Sequence, residues 1–290
     1  MSRLPHNMPR FHLRTLCRSS SLRPLPAIAL GVVVLAAAGA RAQGPVDPDE
    51  DYINPDRPGI ADGSGVVGAG RFQIEAGLQR ERRSESGGSA RTDYVPALLR
   101  LGVGRNLELR LESNTYTSTR ARDSEQGPTR SEGIQPVSVG FKYRFAEAAD
   151  SQRPSMGVIV RLFPRSGTGN YKTRRATGDL RIAADWDFAP QWSLNPNIGV
   201  AAYEGDGGRR YTAALFAATL NYNPSKVVNV FVDIGGQYPE TRNGRGSAVV
   251  DGGIAYIVGR DVQLDFSVGA RVAGVTPARV FWAAGISKRF

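Results

Sequence analysis

The sequence predicts an all-β fold, a single antiparallel transmembrane β-barrel of about 12 strands in a bacterial outer membrane. Three observations support this prediction. The chain begins with an export signal, the rest of it alternates between apolar and polar residues with a period of two, and it ends on an aromatic residue, Phe290. Such alternation puts apolar side chains on one face of a strand and polar ones on the other, as in a barrel wall between lipid and a polar lumen.

Residues 1–42 are predicted to be a signal peptide. The first 26 residues contain five arginines and no acid, the apolar stretch Ala27–Ala40 follows, and Ala40-Arg41-Ala42 is a small-x-small motif. We therefore expect cleavage between Ala42 and Gln43. The apolar stretch has 14 residues, fewer than the about 20 that a spanning helix needs, so a retained membrane anchor is the weaker alternative.

Removal of the signal limits the chemistry open to the protein. His6, His12 and Cys17 all lie in it, so the mature chain has neither histidine nor cysteine. This excludes hydrolases with a histidine base, thiol nucleophiles and cysteine-bound metals. Six of the 37 basic residues and none of the 27 acidic residues leave with the signal. The remaining net charge of +4 argues against nucleic-acid binding. We expect no enzyme activity, no cofactor and no metal site.

The mature chain is predicted to have two parts. Residues 43–69 contain four prolines and no alternation, which favours an extended N-terminal periplasmic arm. Residues 70–290 are predicted to form the barrel. The sequence leaves open whether the segment 43–70 plugs the lumen.

From residue 70 onward, alternation predicts each strand in turn. In the first, Phe72, Ile74, Ala76 and Leu78 share one face. The predicted strands span about 72–79, 95–103, 107–112, 137–145, 156–162, 180–188, 192–200, 210–222, 227–235, 247–257, 262–271 and 279–290. Their connections alternate between short and long, and aromatic residues gather at the strand ends, which favours a membrane barrel over a soluble sandwich.

The long links include those after the first and third predicted strands, and by these boundaries the long links carry sixteen basic and eight acidic residues. Such a rim would attract the phosphates of lipopolysaccharide, although ordinary solvated loop charge explains it equally well.

If the apolar faces contact lipid, the charged residues between them point into the lumen. In the third strand, Leu107, Leu109 and Leu111 then face lipid, and Arg110→Leu should leave folding largely intact. The predicted lumen-lining residues are Glu75, Arg100, Glu108, Arg110, Glu112, Lys142, Arg144, Asp179, Arg181, Asp185, Asp233, Asp251, Asp265 and Arg271. These charges could form a selectivity field, or they could pair with one another and fill a closed interior.

Several segments resemble one known family. They are Asp56-Arg57-Pro58-Gly59, Gly70–Gly77, Leu98–Gly102, Leu107–Leu111, Pro136–Tyr143, Asp251–Tyr256, Gln263–Asp265 and Ala284–Phe290. The chain resembles the outer-membrane transporters grouped as the meta-pathway phenol-degradation family, over nearly the whole mature length. The resemblance implies an outer-membrane location and the passage of small compounds, aromatic ones among them. It implies no catalytic residues, and it makes Phe290 the signal for the barrel-insertion machinery.

The expected function is a passive channel or transporter-like barrel for small solutes, with hydrophobic or aromatic solutes as a candidate class. The alternative is a non-conducting structural or adhesion barrel whose extracellular loops bind a surface partner, and an outer-membrane enzyme comes third. Expected partners are membrane lipid, lipopolysaccharide, the insertion machinery and a small solute. The sequence does not specify the oligomeric state.

Overall fold

A computed structural model describes residues 51–290 apart from 86, 124–126, 150–152, 206–207 and 276. The predicted signal peptide, its cleavage site at Ala42 and Gln43, and the first part of the arm lie outside the described residues. The strands are Phe72–Glu85 (β1), Gly88–Gly102 (β2), Leu107–Asp123 (β3), Gly127–Gly133 (β4), Ser138–Ala146 (β5), Ser155–Phe163 (β6), Thr177–Ala189 (β7), Trp192–Glu204 (β8), Arg210–Ser225 (β9), Val228–Tyr238 (β10), Ser247–Ile257 (β11), Val262–Ala273 (β12) and Val280–Arg289 (β13).

The strands form one closed antiparallel barrel. Apart from β4 and β5, which do not pair with each other, each strand pairs with its neighbours in sequence, and β1 pairs with both β2 and β13, which closes the sheet. The segments β4 and β5 both pair with β3, the first along its far half and the second along its near half. They are therefore two parts of one wall strand interrupted at 134–137. The barrel has twelve wall strands, which confirms the predicted fold class.

The two faces of the wall differ as the alternation predicts. On β3, the Leu109 side chain is 48% exposed, whereas its neighbour Glu108 is fully buried inside the barrel. Large apolar side chains on all sides of the barrel are exposed in the same way. A continuous apolar outer surface of this kind is stable only against lipid, because each exposed apolar side chain would otherwise order water. The chain is an outer-membrane β-barrel.

The barrel has two unlike ends. The short-turn rim carries the links 103–106, 147–154, 190–191, 226–227 and 258–261, and the long-loop rim carries 86–87, 124–126, 164–176, 205–209, 239–246 and 274–279. In outer-membrane barrels the short turns face the periplasm. Aromatic pairs mark the short-turn rim: the rings of Trp192 and Tyr222 are 4.8 Å apart, and those of Phe72 and Phe290 are 6.1 Å apart.

The prediction of long links after the first and third strands is wrong. There, β1 pairs with β2 up to Glu85 and Gly88, and β3 pairs with β4 up to Asp123 and Gly127. These hairpins continue beyond the apolar part of the wall because cross-strand pairing satisfies the backbone even where both faces are polar.

Among the described residues, no helix combines the length and the hydropathy of a transmembrane helix.

Candidate functional site

The described part of the predicted periplasmic arm, residues 51–69, lies against the inner wall of the barrel. It starts at the short-turn rim, where Ile53 N donates to Arg260 O at 2.7 Å. At mid-barrel, Ile60 N donates to Asp233 Oδ2 at 2.9 Å. The chain then returns to the short-turn rim, where the amide of Gly70 donates to Gly102 O at 2.9 Å. These contacts place the segment in the lumen rather than outside the barrel.

Arg100 is the centre of an ion-pair network between the arm and the wall. It is 1% exposed, and its guanidinium donates to Glu75 at 2.9 Å and to both oxygens of Glu108 at 2.9 Å. It also donates to the arm carbonyls of Asn54 at 3.1 Å and Gly65 at 3.0 Å. All of its donor groups therefore have partners, which a buried guanidinium requires.

Asp56 is the arm's own contribution to this network. Lys142 Nζ donates to both of its oxygens, at 2.8 and 2.9 Å, and Arg110 donates to it as well. Burial by itself raises the pKa of Asp56, but the positive charges of Arg100, Lys142 and Arg110 hold that pKa well below its ordinary value. Asp56 is therefore ionised at neutral pH, and its charge ties the arm to the wall.

Asp62 fixes the far side of the arm. Its carboxylate lies 3.4 Å from the guanidinium of Arg110 and 3.4 Å from that of Arg181. Its backbone N and O pair with the two side-chain amide atoms of Asn197, both at 2.8 Å. Two residues later, the backbone and hydroxyl of Ser64 both donate to Asp185, at 2.8 and 2.6 Å. The turn of the arm is thus bonded to three strands.

Arg57 lies in a slot that depends on two glycines of the wall. Its Nη2 is 3.0 Å from Asp265 Oδ1, and the Asp265 side chain is fully buried. Gly77 and Gly285 pair with each other across β1 and β13. A Cβ on Gly285 would lie 2.4 Å from Arg57 Nη2, and one on Gly77 would lie 2.6 Å from the same atom. Any other residue in the slot would displace the guanidinium.

A second close approach occurs at the tip of the arm. A Cβ on Gly235 of β10 would lie 2.4 Å from a methyl carbon of Ile60. The wall thus lacks side chains where the arm carries large ones, as in the interdigitated packing of a protein core.

The predicted lumen-lining residues all lie on the face of their strands opposite the exposed apolar side chains. Most of them are brought together by the arm. The others contact residues outside the arm: Arg144 pairs with Glu147 at the short-turn rim, Arg271 donates to Val275 O at 2.8 Å near the long-loop rim, and Glu112, Asp179 and Asp251 contact residues of the wall. Asp251 lies directly opposite Asp233 in the β10–β11 register, so two buried carboxylates are neighbours.

The structure argues against the expectation that Arg110→Leu leaves folding intact. The Arg110 side chain is 2% exposed and is paired with Asp56, Asp62 and Glu108. Its removal would take one cation from three buried carboxylates, which keep Lys142, Arg100 and Arg181 as partners, so we expect Arg110→Leu to destabilise the barrel.

Arg161 is a buried charge of the wall that is absent from the predicted set. Arg161 bonds Asp179 at 3.1 Å and Glu112 at 3.2 Å from inside β6. The sequence pattern indicates this inward position, because Arg161 stands between the outward Val160 and Leu162 in an alternating strand.

Between the arm tip and the long-loop rim, the lumen contains two adjoining cavities of 260 and 320 Å³. Ile60, Val249 and Pro277 line both. Leu215 and Tyr203 add to the first cavity, and the second also contacts Phe281, Glu81, Arg83, Asp251 and Ser267. The lumen is thus filled by the arm near the short-turn rim and open, with a mixed apolar and polar lining, above it.

Among the described residues, no group of three or more acidic, cysteine or histidine side chains is arranged to hold a metal.

Comparisons with known proteins agree with this architecture. Residues 55–290 match the model of a protein family that is described as the MetA-pathway of phenol degradation. No curated protein matches the chain. The barrel is similar to an outer-membrane channel from Pseudomonas putida F1, with a TM-score of 0.61 and 12% identity over 85% of this chain and 100% of that one. It is also similar to the β domain of the Bordetella autotransporter BrkA, with a TM-score of 0.52 and 13% identity over 75% of this chain and 98% of that one. These likenesses concern the fold.

Proposed function

The chain belongs to the MetA-pathway phenol-degradation family, whose model covers residues 55–290, and from this premise we propose that it is a passive outer-membrane channel for small solutes. We further propose that its preferred solutes are single-ring aromatic compounds with a polar substituent. The family description supports this solute class, and so does the lining of the lumen.

The pair of cavities above the arm is the observation that carries the proposal. A dry apolar cavity of about 150 Å³ is large enough for benzene, and the two cavities measure 260 and 320 Å³. Val249, Phe281 and Ile60 supply apolar contacts for a ring, while Ser267 and Asp251 supply acceptors for a hydroxyl group. A solute that has both an aromatic ring and a hydroxyl group could therefore occupy this part of the lumen.

Solute flux through proteoliposomes tests the proposal. Val249→Trp fills the space that both cavities share, and Val250→Trp places the same side chain on the lipid face of the same strand. We expect phenol influx into vesicles containing the unaltered protein to exceed that into protein-free vesicles. Val249→Trp should lower this excess several-fold, while Val250→Trp should not. Equal flux in the two variants would refute the assignment of the path.

The arm forms the constriction of the proposed channel, because it fills the lumen on the short-turn side. This filling also favours the second candidate function, a non-conducting barrel whose loops bind a surface partner. The two differ in planar bilayers: a channel shows stepwise conductance, and a structural barrel stays silent. Silence both in the unaltered protein and in a variant with a displaced arm would favour the structural function.

The position of the arm within the mature chain depends on signal cleavage. We propose that cleavage leaves Gln43 as the first residue. N-terminal sequencing of the protein from purified outer membranes should then begin at Gln43, and a start upstream of Ala42 would contradict it.

A further inference from the structure

Four arginines lie side by side across four strands near the long-loop rim. Arg82 of β1 is directly opposite Arg91 of β2, Arg91 is opposite Arg120 of β3, and Arg120 is opposite Arg130 of β4. We call this row the arginine ladder. Directly opposed residues of paired strands point to the same side of a sheet. The four guanidinium groups therefore project from one face of the wall.

That face is the outside of the barrel. On β1, Arg82 alternates with the inward Glu81 and Arg83 that line a lumen cavity, and it shares its face with Leu78, which is 59% exposed. Two residues before Arg82, Arg80 lies 5.7 Å above the ring of Trp282. An outward tryptophan is typical of the level at which the bilayer core meets the headgroups. The ladder thus begins near this level.

The ladder continues away from the hydrocarbon core. A tilted strand crosses that core in about 9–11 residues, and Arg120 is the fourteenth residue of β3. The neighbouring Arg122 points the same way, as it lies two residues further along. The row therefore reaches the height of the headgroups of the outer leaflet.

Among the described residues, the positive charges of this surface outnumber the negative ones. Its described arginines are Arg80, Arg82, Arg91, Arg120, Arg122 and Arg130, and its described acids are Asp93 and Glu132. Asp93 pairs with Arg80 and Arg91, and Glu132 pairs with Arg130. Within the described part of the chain, Arg82, Arg120 and Arg122 have no ion pair. Like charges directly opposite each other destabilise paired strands. An anion bound from outside the protein would therefore stabilise the arginine ladder.

We propose that the arginine ladder binds the phosphate groups of lipopolysaccharide in the outer leaflet. Guanidinium groups bind phosphate through two parallel hydrogen bonds. Neighbouring strands are about 4.8 Å apart, so a row across four strands extends over about 14 Å and can contact more than one phosphate. This site lies outside the lumen and does not depend on the proposed channel function.

The test compares two triple variants of equal charge. Arg82→Ser/Arg120→Ser/Arg122→Ser removes the unpaired part of the surface. Arg105→Ser/Arg153→Ser/Arg260→Ser removes three exposed arginines at the short-turn rim. Binding of the refolded proteins to bisphosphorylated lipid A, dephosphorylated lipid A and phosphatidylglycerol is measured in detergent micelles, with inorganic phosphate as competitor. The single variant Arg120→Ser repeats the test with a smaller change, and heat-modifiable gel mobility checks folding.

We expect the unaltered protein and the short-turn variant to bind bisphosphorylated lipid A alike, and more tightly than either other lipid. The ladder variant should bind it at least tenfold more weakly, and Arg120→Ser at least twofold. Millimolar inorganic phosphate should displace little lipid A. Equal lipid A binding by the two triple variants would overturn the proposal, as would equal binding of all three lipids by the unaltered protein. Complete displacement by inorganic phosphate would show a site for free phosphate instead.

Discussion

Gly285→Ala should weaken the seating of the arm in the lumen without altering the wall. The nearest atoms to a new Cβ at this position all belong to Arg57, at 2.4–2.6 Å. Because contacts below 3.0 Å are essentially never seen, the guanidinium must leave its slot. At Gly77 a Cβ would also meet the wall carbonyl of Ala284 at 2.5 Å. Gly285 is therefore the cleaner position for this experiment.

The size of the effect follows from the partner that Arg57 leaves behind. The Asp265 side chain is fully buried, and removing one partner of a buried ion pair costs about 3–5 kcal/mol. At about 1.4 kcal/mol per tenfold change, a cost of about 3 kcal/mol raises the ratio of displaced to seated arm roughly a hundredfold. Gly104→Ala is the matched control, since nothing lies within 4 Å of its Cβ position.

Thiol labelling measures the displacement. The predicted mature chain lacks cysteine, so Ser64→Cys, at a fully buried position of the arm, introduces one reporter. The labelling rate in Gly285→Ala should exceed that in Gly104→Ala by about a hundredfold, and single-channel conductance should rise with it. In an Arg57→Ala background, Gly285→Ala should add nothing. Equal rates in the two glycine variants, or a full effect without Arg57, would refute the reasoning.

Three further predictions concern the buried charges and the C-terminus. Asp251→Asn should stabilise the barrel by about 1 kcal/mol in urea unfolding in lipid, because it removes one of two opposed carboxylates; Asp265→Asn on the same wall should destabilise it, and the same sign for both would contradict the charge assignment. Since the folded pKa of Asp56 is depressed, its contribution to arm seating should be complete above the unfolded value of about 3.9 and decline as pH falls toward the folded pKa. Thiol labelling of the arm should accordingly rise in acid, and Asp56→Asn should flatten this profile. Deleting Phe290, whose backbone pairs with Phe72 at 2.8 and 3.2 Å, should reduce assembled barrel in the outer membrane; unchanged amounts would show that the insertion signal lies elsewhere.

The local alternation of apolar and polar residues was sufficient to predict the wall of the barrel. Strict alternation assigned Leu109 to lipid and Glu108 to the lumen, because neighbouring side chains of a strand must point to opposite faces. It also determined the number of strands, since each apolar-polar run marks one crossing, although runs such as 107–112 are shorter than the about 9–11 residues of a complete crossing. The ends of the strands beyond the apolar part were misjudged. There both faces are polar, and only backbone pairing with a neighbour distinguishes strand from loop.

Only the tertiary structure decided where the arm lies. Its residues have no periodicity, and their partners are remote in sequence: Ser64 bonds Asp185 across 121 positions and Ile60 bonds Asp233 across 173. Likewise, no local pattern shows that Arg82, Arg91, Arg120 and Arg130 share one row, because that depends on the register of three strand pairs. By itself the sequence determined which side chains face inward, through the geometry of single strands. The closed sheet decided which of them meet, because closure brings residues of many strands to the same depth of one narrow lumen.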